Sequence, residues 1–238
     1  MMRSIAEQKV DELGGRLSVL TRQRRDHVKL ENLLEDLEGT TGAAQGQVLL
    51  RIYRLVFPHA FAEEAVLWPV MRRVLPDGHE LTLEVEREHQ EVNELVTALE
   101  TLEEADPARK PVLARLIDVL REDVRDEEDV LLPRLQEKLG RTRLRGLGLA
   151  WEVVRRTAPT RAHPVVARRP PGNAVAAVPL SVLDRVRDLV DVAVLRGPGR
   201  GAPVLRSVST HLGGLAHRIE HLPVMRRGED PSTKSHSD

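Results

Sequence analysis

The sequence predicts an all-α fold, an antiparallel four-helix bundle followed by a C-terminal extension containing additional helices. Two observations carry that expectation. Aromatic residues are only 2% of the 238 residues, so a core must be built from Leu, Val, Ile and Ala. Such a core suits helix-on-helix packing better than a sheet, which would draw on aromatic and β-branched side chains. Apolar residues also recur at helical spacing over four long segments joined by short connections.

The first segment runs from about Ile5 to Leu37, with Leu13, Leu17, Leu20, His27, Leu30, Leu34 and Leu37 near one stripe, and stops at "EGTTG". The second runs from about Ala43 to Leu75 and ends at "PDG". The third covers about Glu80 to Leu102 and breaks at "ADP", where Asp106 is placed to cap the next helix with Pro107 at its first position. The fourth continues to Leu139. Pro69 and Pro133 fall inside the second and fourth, where each removes a backbone hydrogen bond and is expected to kink the helix or mark its last turns.

Beyond Gly140 the texture changes. The expected organisation is a bundle over 1–140, a basic, Pro-rich linker over 141–179 in which "RGLGLAWEVVRR" suggests a short helix, a helical extension over 180–222 interrupted by "RGPGRG", and a disordered tail over 223–238. Charge divides at the same place. Residues 1–140 carry 19 Lys and Arg against 29 Asp and Glu, whereas 141–238 carry 17 against 8. A basic extension that docks on the acidic bundle or binds an acidic partner follows. A nucleic-acid contact is disfavoured, because the extension lacks both aromatic interleaving and a continuous basic helix. The absence of cysteine excludes disulfides, thiolate metal sites and cysteine nucleophiles. No stretch has the apolar length of a signal peptide or membrane span, so a cytoplasmic location is expected.

Two stretches share a skeleton: "HAFAEEAVLWPVM", His59 to Met71, and "DVRDEEDVLLPRL", Asp123 to Leu135. Each has a leading residue, two acids four and five places on, an apolar residue eight places on and a proline ten places on. On a helix, residues i and i+4 lie on one face about 6 Å apart along the axis, so both can reach one metal ion or bridge two. His59 and Glu63 have that spacing, as do Asp123 and Glu127. His27 on the first helix and His89 in "EREHQEV" on the third add an imidazole each, so every helix offers a donor to a bundle-core metal site. Glu64, Asp126, Glu128 and Asp129 read as surface acids or as supports behind the ligands, and Tyr53 as core.

At these residues the sequence resembles the hemerythrin-like, HHE cation-binding domain family over 17–139. The resemblance covers His27, His59 with Glu63, His89 after Glu88, Glu127, the doubled acids and the prolines that follow them. It implies a four-helix bundle holding non-haem iron, two ions per chain first and one, or manganese or zinc, as the alternative. In it Glu63 and Glu127 take bridging positions and His27, His59, His89 and Asp123 terminal ones. Two positions depart from the family pattern: Asp123 stands where a terminal His is expected, and Asn93 where oxygen-carrying members have a further His. Fewer imidazoles leave more open coordination positions, which suits reaction with O2, peroxide or nitric oxide, in redox turnover such as catalase-like peroxide decomposition or in sensing. The alternatives are a non-catalytic, mononuclear metal sensor or store, and a metal-free interaction bundle. "HRIEH", His217 to His221, also resembles an inverted zinc-protease signature. A third ligand would have to come from the 17 residues that follow, where Glu229 is the sole glutamate and Pro223 ends the helix at once, so a surface His pair is expected.

Overall fold

A computed structural model describes residues 3–169, 172–196 and 201–234. These residues form helices joined by turns and by a longer irregular segment over 158–169, with no strand among them. The bundle consists of α1 (Val19–Glu38), α2 (Gly42–Ala62) continued by α3 (Trp68–Val74), α4 (Gly78–Thr101), and α5 (Arg109–Asp126) continued by α6 (Leu132–Lys138). The extension adds α7 (Arg141–Thr157), α8 (Gly172–Arg196) and α9 (Ala202–Glu220).

The two prolines act in the same way. α2 passes into α3 through a π-helical turn, Glu63–Leu67, and α5 into α6 through another, Glu127–Leu131. Pro69 and Pro133 lack an N–H and crowd the carbonyl one turn back, and the widened turn relieves that crowding. Trp68 N–H accordingly donates to Glu63 O, and Leu132 N–H to Glu127 O, each five residues back. The chain runs on through both prolines as helix.

The first helix begins at Val19 rather than near Ile5. Gly14 and Gly15 both adopt φ +94°, which turns the chain. Ile5 and Leu13 remain fully buried, because the turn folds this segment under one end of the bundle. In the stretch expected to be linker, Leu144 and Trp151 bury one face of α7 against α1 and α2. Contact is close at Gly148, where a Cβ would lie 2.1 Å from Leu17 O. α8 starts at Gly172 and continues through Pro179, since burial of Ala176 and Leu180 holds the turns on either side. The expected disordered tail is instead folded back as far as residue 234. Ala167 N–H donates to Met225 O at 2.9 Å and Gly172 N–H to Arg227 O at 3.0 Å, and Thr233 is buried. Residues 235–238, and most of the expected "RGPGRG" break, lie outside the described residues.

Ion pairs of both polarities, and some within the extension itself, surround the junction with the bundle. Arg161, from the extension, is buried among Glu100 (3.1 Å), Asp188 (2.7 Å) and Asp191 (2.7 Å). Arg169 reaches Glu86 at 2.6 Å, and Arg54 of the bundle reaches Asp188 at 2.8 Å.

The core is split. Leu30, Leu34, Ile52, Val92, Val96, Leu116 and Leu120 belong to one apolar cluster. Leu20, Leu67, Met71, Val85, Leu132 and Trp151 belong to another. Along each bundle helix a polar stretch, buried apart from the partly buried Asp123, falls between the two: Asp26 and His27, His59 and Glu63, His89, and Asp123 and Glu127.

Candidate metal centre

All six residues singled out from the sequence meet in that layer. Donor atoms of His27, His59, Glu63 and Glu127 lie within 4.8 Å of one another, and so do those of His89, Asp123 and Glu127. Glu127 belongs to both groups. Glu63 also spans them, with one oxygen 3.1 Å from His59 Nε2 and the other 3.7 Å from His89 Nε2. His27 Nε2 lies 3.1 Å from Glu127 and 3.3 Å from His59 Nε2. Asp123, which stands where the sequence led one to expect a histidine, reaches to 3.6 Å from His89 Nε2.

Each imidazole has a carboxylate behind it. His27 Nδ1 donates to Glu128 at 2.9 Å, and His89 Nδ1 donates to Glu64 at 2.9 Å. Asp26 lies 3.6 Å from His59 Nδ1. A proton committed at Nδ1 directs Nε2 at the centre, the arrangement that orients metal-binding histidines. The doubled acids thus divide the work: Glu63 and Glu127 face the centre, Glu64 and Glu128 hold rings. Asp26 was not singled out from sequence, since an acid next to a histidine has no helical signature. Trp151, with its ring edge-on to His59 at 5.2 Å, was missed for a different reason: it comes from α7, far away in the chain.

Electrostatics define what is lacking. Both oxygens of Glu63, both of Glu127 and Oδ1 of Asp123 are buried without an aligned hydrogen-bond donor, although imidazole nitrogens lie close by. Burial and the Glu127 charge push the carboxyls of Glu63 and Asp123 up, the latter well above the carboxylate range. Burial would push the histidines down, but it is outweighed. The adjacent Glu127 carboxylate and the bond to Glu128 raise His27 to about 9, and the charges of Asp123, Glu64 and Glu63 raise His89 to about 10. Without a cation the layer holds its carboxylates only by keeping protons on the rings. Buried, orphaned carboxylate oxygens and oriented imidazoles are the donor set of a hard-to-borderline cation, so the residues fit a metal.

Asn93 takes no place in either donor group. Its Nδ2 donates to His89 O at 2.8 Å and its Oδ1 accepts from His163 N–H at 2.9 Å, tying α4 to the extension. Tyr53 is core, packed on Phe57 at 5.9 Å, and His79 is exposed.

A cavity of about 20 Å³ abuts the layer, lined by His27, His59, His89 and Asp123 and by Leu30, Leu55, Val56, Leu120 and Val124. One water-sized molecule needs roughly 10–15 Å³, so the space admits one small molecule and little more. An open cleft of about 400 Å³ between α1 and α5, lined in part by Glu31, Asp118, Arg121 and Arg125, reaches His27 from the surface.

Residues 18–135 match the family model of the hemerythrin HHE cation binding domain. Over 173 residues the chain is 24% identical to an uncharacterized hemerythrin-like protein of Schizosaccharomyces pombe, covering 70% of this chain and 83% of that one. Over 117 residues it is 29% identical to a DNA nickase of Nostoc sp., covering 49% of this chain but 33% of that protein. No solved structure matches. Among the described residues no helix is long and apolar enough to cross a membrane.

Proposed function

We propose, from the premise that residues 18–135 belong to the hemerythrin HHE cation-binding family, that this chain holds a pair of iron ions and reacts with a small oxidant, peroxide first among O2, peroxide and nitric oxide. The observation that carries this reading is the sharing of Glu127 by two adjacent donor groups, one of four residues and one of three. In it His27 and His59 would hold one ion and His89 and Asp123 the other, with Glu63 and Glu127 within reach of both.

Iron bound there would supply one-electron redox chemistry at two neighbouring ions. The chain does the rest. Leu30, Leu55, Val56, Leu120 and Val124 wall the cavity against bulk water and limit its occupant to a molecule of diatomic or peroxide size. Glu128 and Glu64 keep protons at Nδ1 of His27 and His89, so the rings stay oriented while charge at the centre changes. Charged groups at the mouth of the α1–α5 cleft keep it hydrated for a polar molecule such as peroxide. Decomposing two peroxides to dioxygen and two waters balances without an outside electron donor, so this activity asks for no second protein.

The test is iron content per chain and near-ultraviolet absorption of the iron-loaded protein, followed by peroxide consumption. A pair of irons with oxo-bridge bands and sustained oxygen release is expected. A single ion per chain, or a pair that neither consumes peroxide nor changes its spectrum with O2 or nitric oxide, would sink the reading and leave a metal store or sensor.

A further inference from the structure

The stretch His217 to His221 stands apart from the chemistry above. On α9 the residues His217, Glu220 and His221 follow an i, i+3, i+4 pattern, so their side chains share one face. One donor atom from each lies within 4.8 Å of the other two, and the imidazole centroids are 4.2 Å apart.

Two features separate this trio from histidines that merely share a surface. His221 donates its Nδ1 proton to His217 O at 2.7 Å, which fixes the tautomer and leaves Nε2 with its lone pair. Glu220 is only 6% exposed, and one of its oxygens is held at 3.1 Å by Nδ1 of the buried His163. That grip aims the other oxygen, which lies 3.1 Å from His217 Nδ1. The carboxylate is therefore fixed in place while His217 remains open to solvent, with 68% of its side chain exposed.

We infer that His217, Glu220 and His221 form a second cation site, outside the bundle, for a divalent transition ion of the zinc class. Two imidazoles and a carboxylate select zinc, nickel or copper over magnesium and calcium, which favour all-oxygen surroundings. Three protein donors leave water to complete the sphere. Hydrolysis does not follow. Glu220, the residue that would have to act as a free base, is itself a donor to the ion and is held by His163, and Glu229 is occupied by Arg168 N–H and the Thr233 hydroxyl. The site is a fastening. His163 links Glu220 to Asp184 of α8 at 3.1 Å and, through its backbone N–H, to Asn93 of α4, so an ion on α9 secures the point where the α8–α9 hairpin meets the bundle.

The experiment is calorimetric titration of the whole 238-residue chain, iron-loaded, with zinc, beside the double variant His217→Ala, His221→Ala and the bundle variant His59→Ala. Both substituted imidazoles lie toward the surface, so the double variant should keep its helicity, which circular dichroism checks, with any fall in melting temperature confined to the lost His217–Glu220 contact. The parent is expected to bind one zinc more than the double variant, His59→Ala to retain that zinc, and magnesium to give no comparable heat. Cobalt in place of zinc should give visible ligand-field bands that the double variant loses. Equal zinc uptake by the parent and double variant, no uptake by the parent beyond the bundle centre, or equal binding of magnesium would overturn the site.

Discussion

Asp123 concentrates the chemistry at the scale of single residues. It belongs only to the smaller donor group, and its Oδ1 has no hydrogen-bond partner. Asp123→Ala is therefore expected to lower iron from two ions per chain to one, read by metal analysis, while the His59 side stays filled. Retention of both ions would remove Asp123 from the ligand set. The imidazoles set the pH dependence. His27 and His89 are raised to about 9 and about 10 from 6.5, so in the metal-free protein their stabilisation is complete below pH 6.5 and is lost as pH rises through 9 and 10. A cation must displace those same protons, so its binding strengthens in the opposite direction. The rise in melting temperature on adding metal should grow from pH 6.5 toward pH 9; a rise independent of pH would argue that the rings are not ligands. These residues were legible in the sequence because i, i+4 spacing on a helix is local. Asp26 and Trp151 were not, because only tertiary packing brings them to His59.

At the scale of elements, the two stretches with a common skeleton fold alike, each as helix, π-turn and helix with a centre-facing glutamate at the start of the turn. The sequence pointed to a disturbance at each proline but not to its form, since a kink, a stop and a π-turn all relieve the same crowding. The N-terminal segment misled for a related reason. Its leucines keep helical spacing across Gly14 and Gly15, and spacing alone does not register two residues of positive φ. α7 shows the converse, a helix whose partner is set by one absent side chain. A methyl group at residue 148 would press on Leu17 O, a backbone atom with little room to move. Gly148→Ala should destabilise the protein by about 1–3 kcal/mol. Because it also pushes Trp151 away from His59, it should change tryptophan fluorescence as well as the denaturation midpoint. An unchanged midpoint would show that α7 yields freely.

At the scale of the molecule, the extension is held by ion pairs as well as by the apolar burial of residues such as Leu144 and Trp151. Arg161 is buried with three carboxylates, and removing it leaves them only the more exposed Arg54 and Arg187 as cationic partners. Arg161→Ala is expected to cost about 3–5 kcal/mol and to open 158–169 to limited proteolysis before the bundle is cut. Simultaneous loss of both would show that extension and bundle unfold as one. The charge imbalance between the halves pointed to docking but not to its partners, for two of the acids around Arg161, Asp188 and Asp191, belong to the extension itself. The split core has a further consequence. With protons alone in the middle layer, the bundle is two small hydrophobic bodies separated by a charged septum, and each can melt without dragging the other along. A cation bridged by Glu63 and Glu127 would rivet them into one cooperative unit. Calorimetric and van't Hoff enthalpies should then agree for the metal-loaded protein and diverge for the metal-free one.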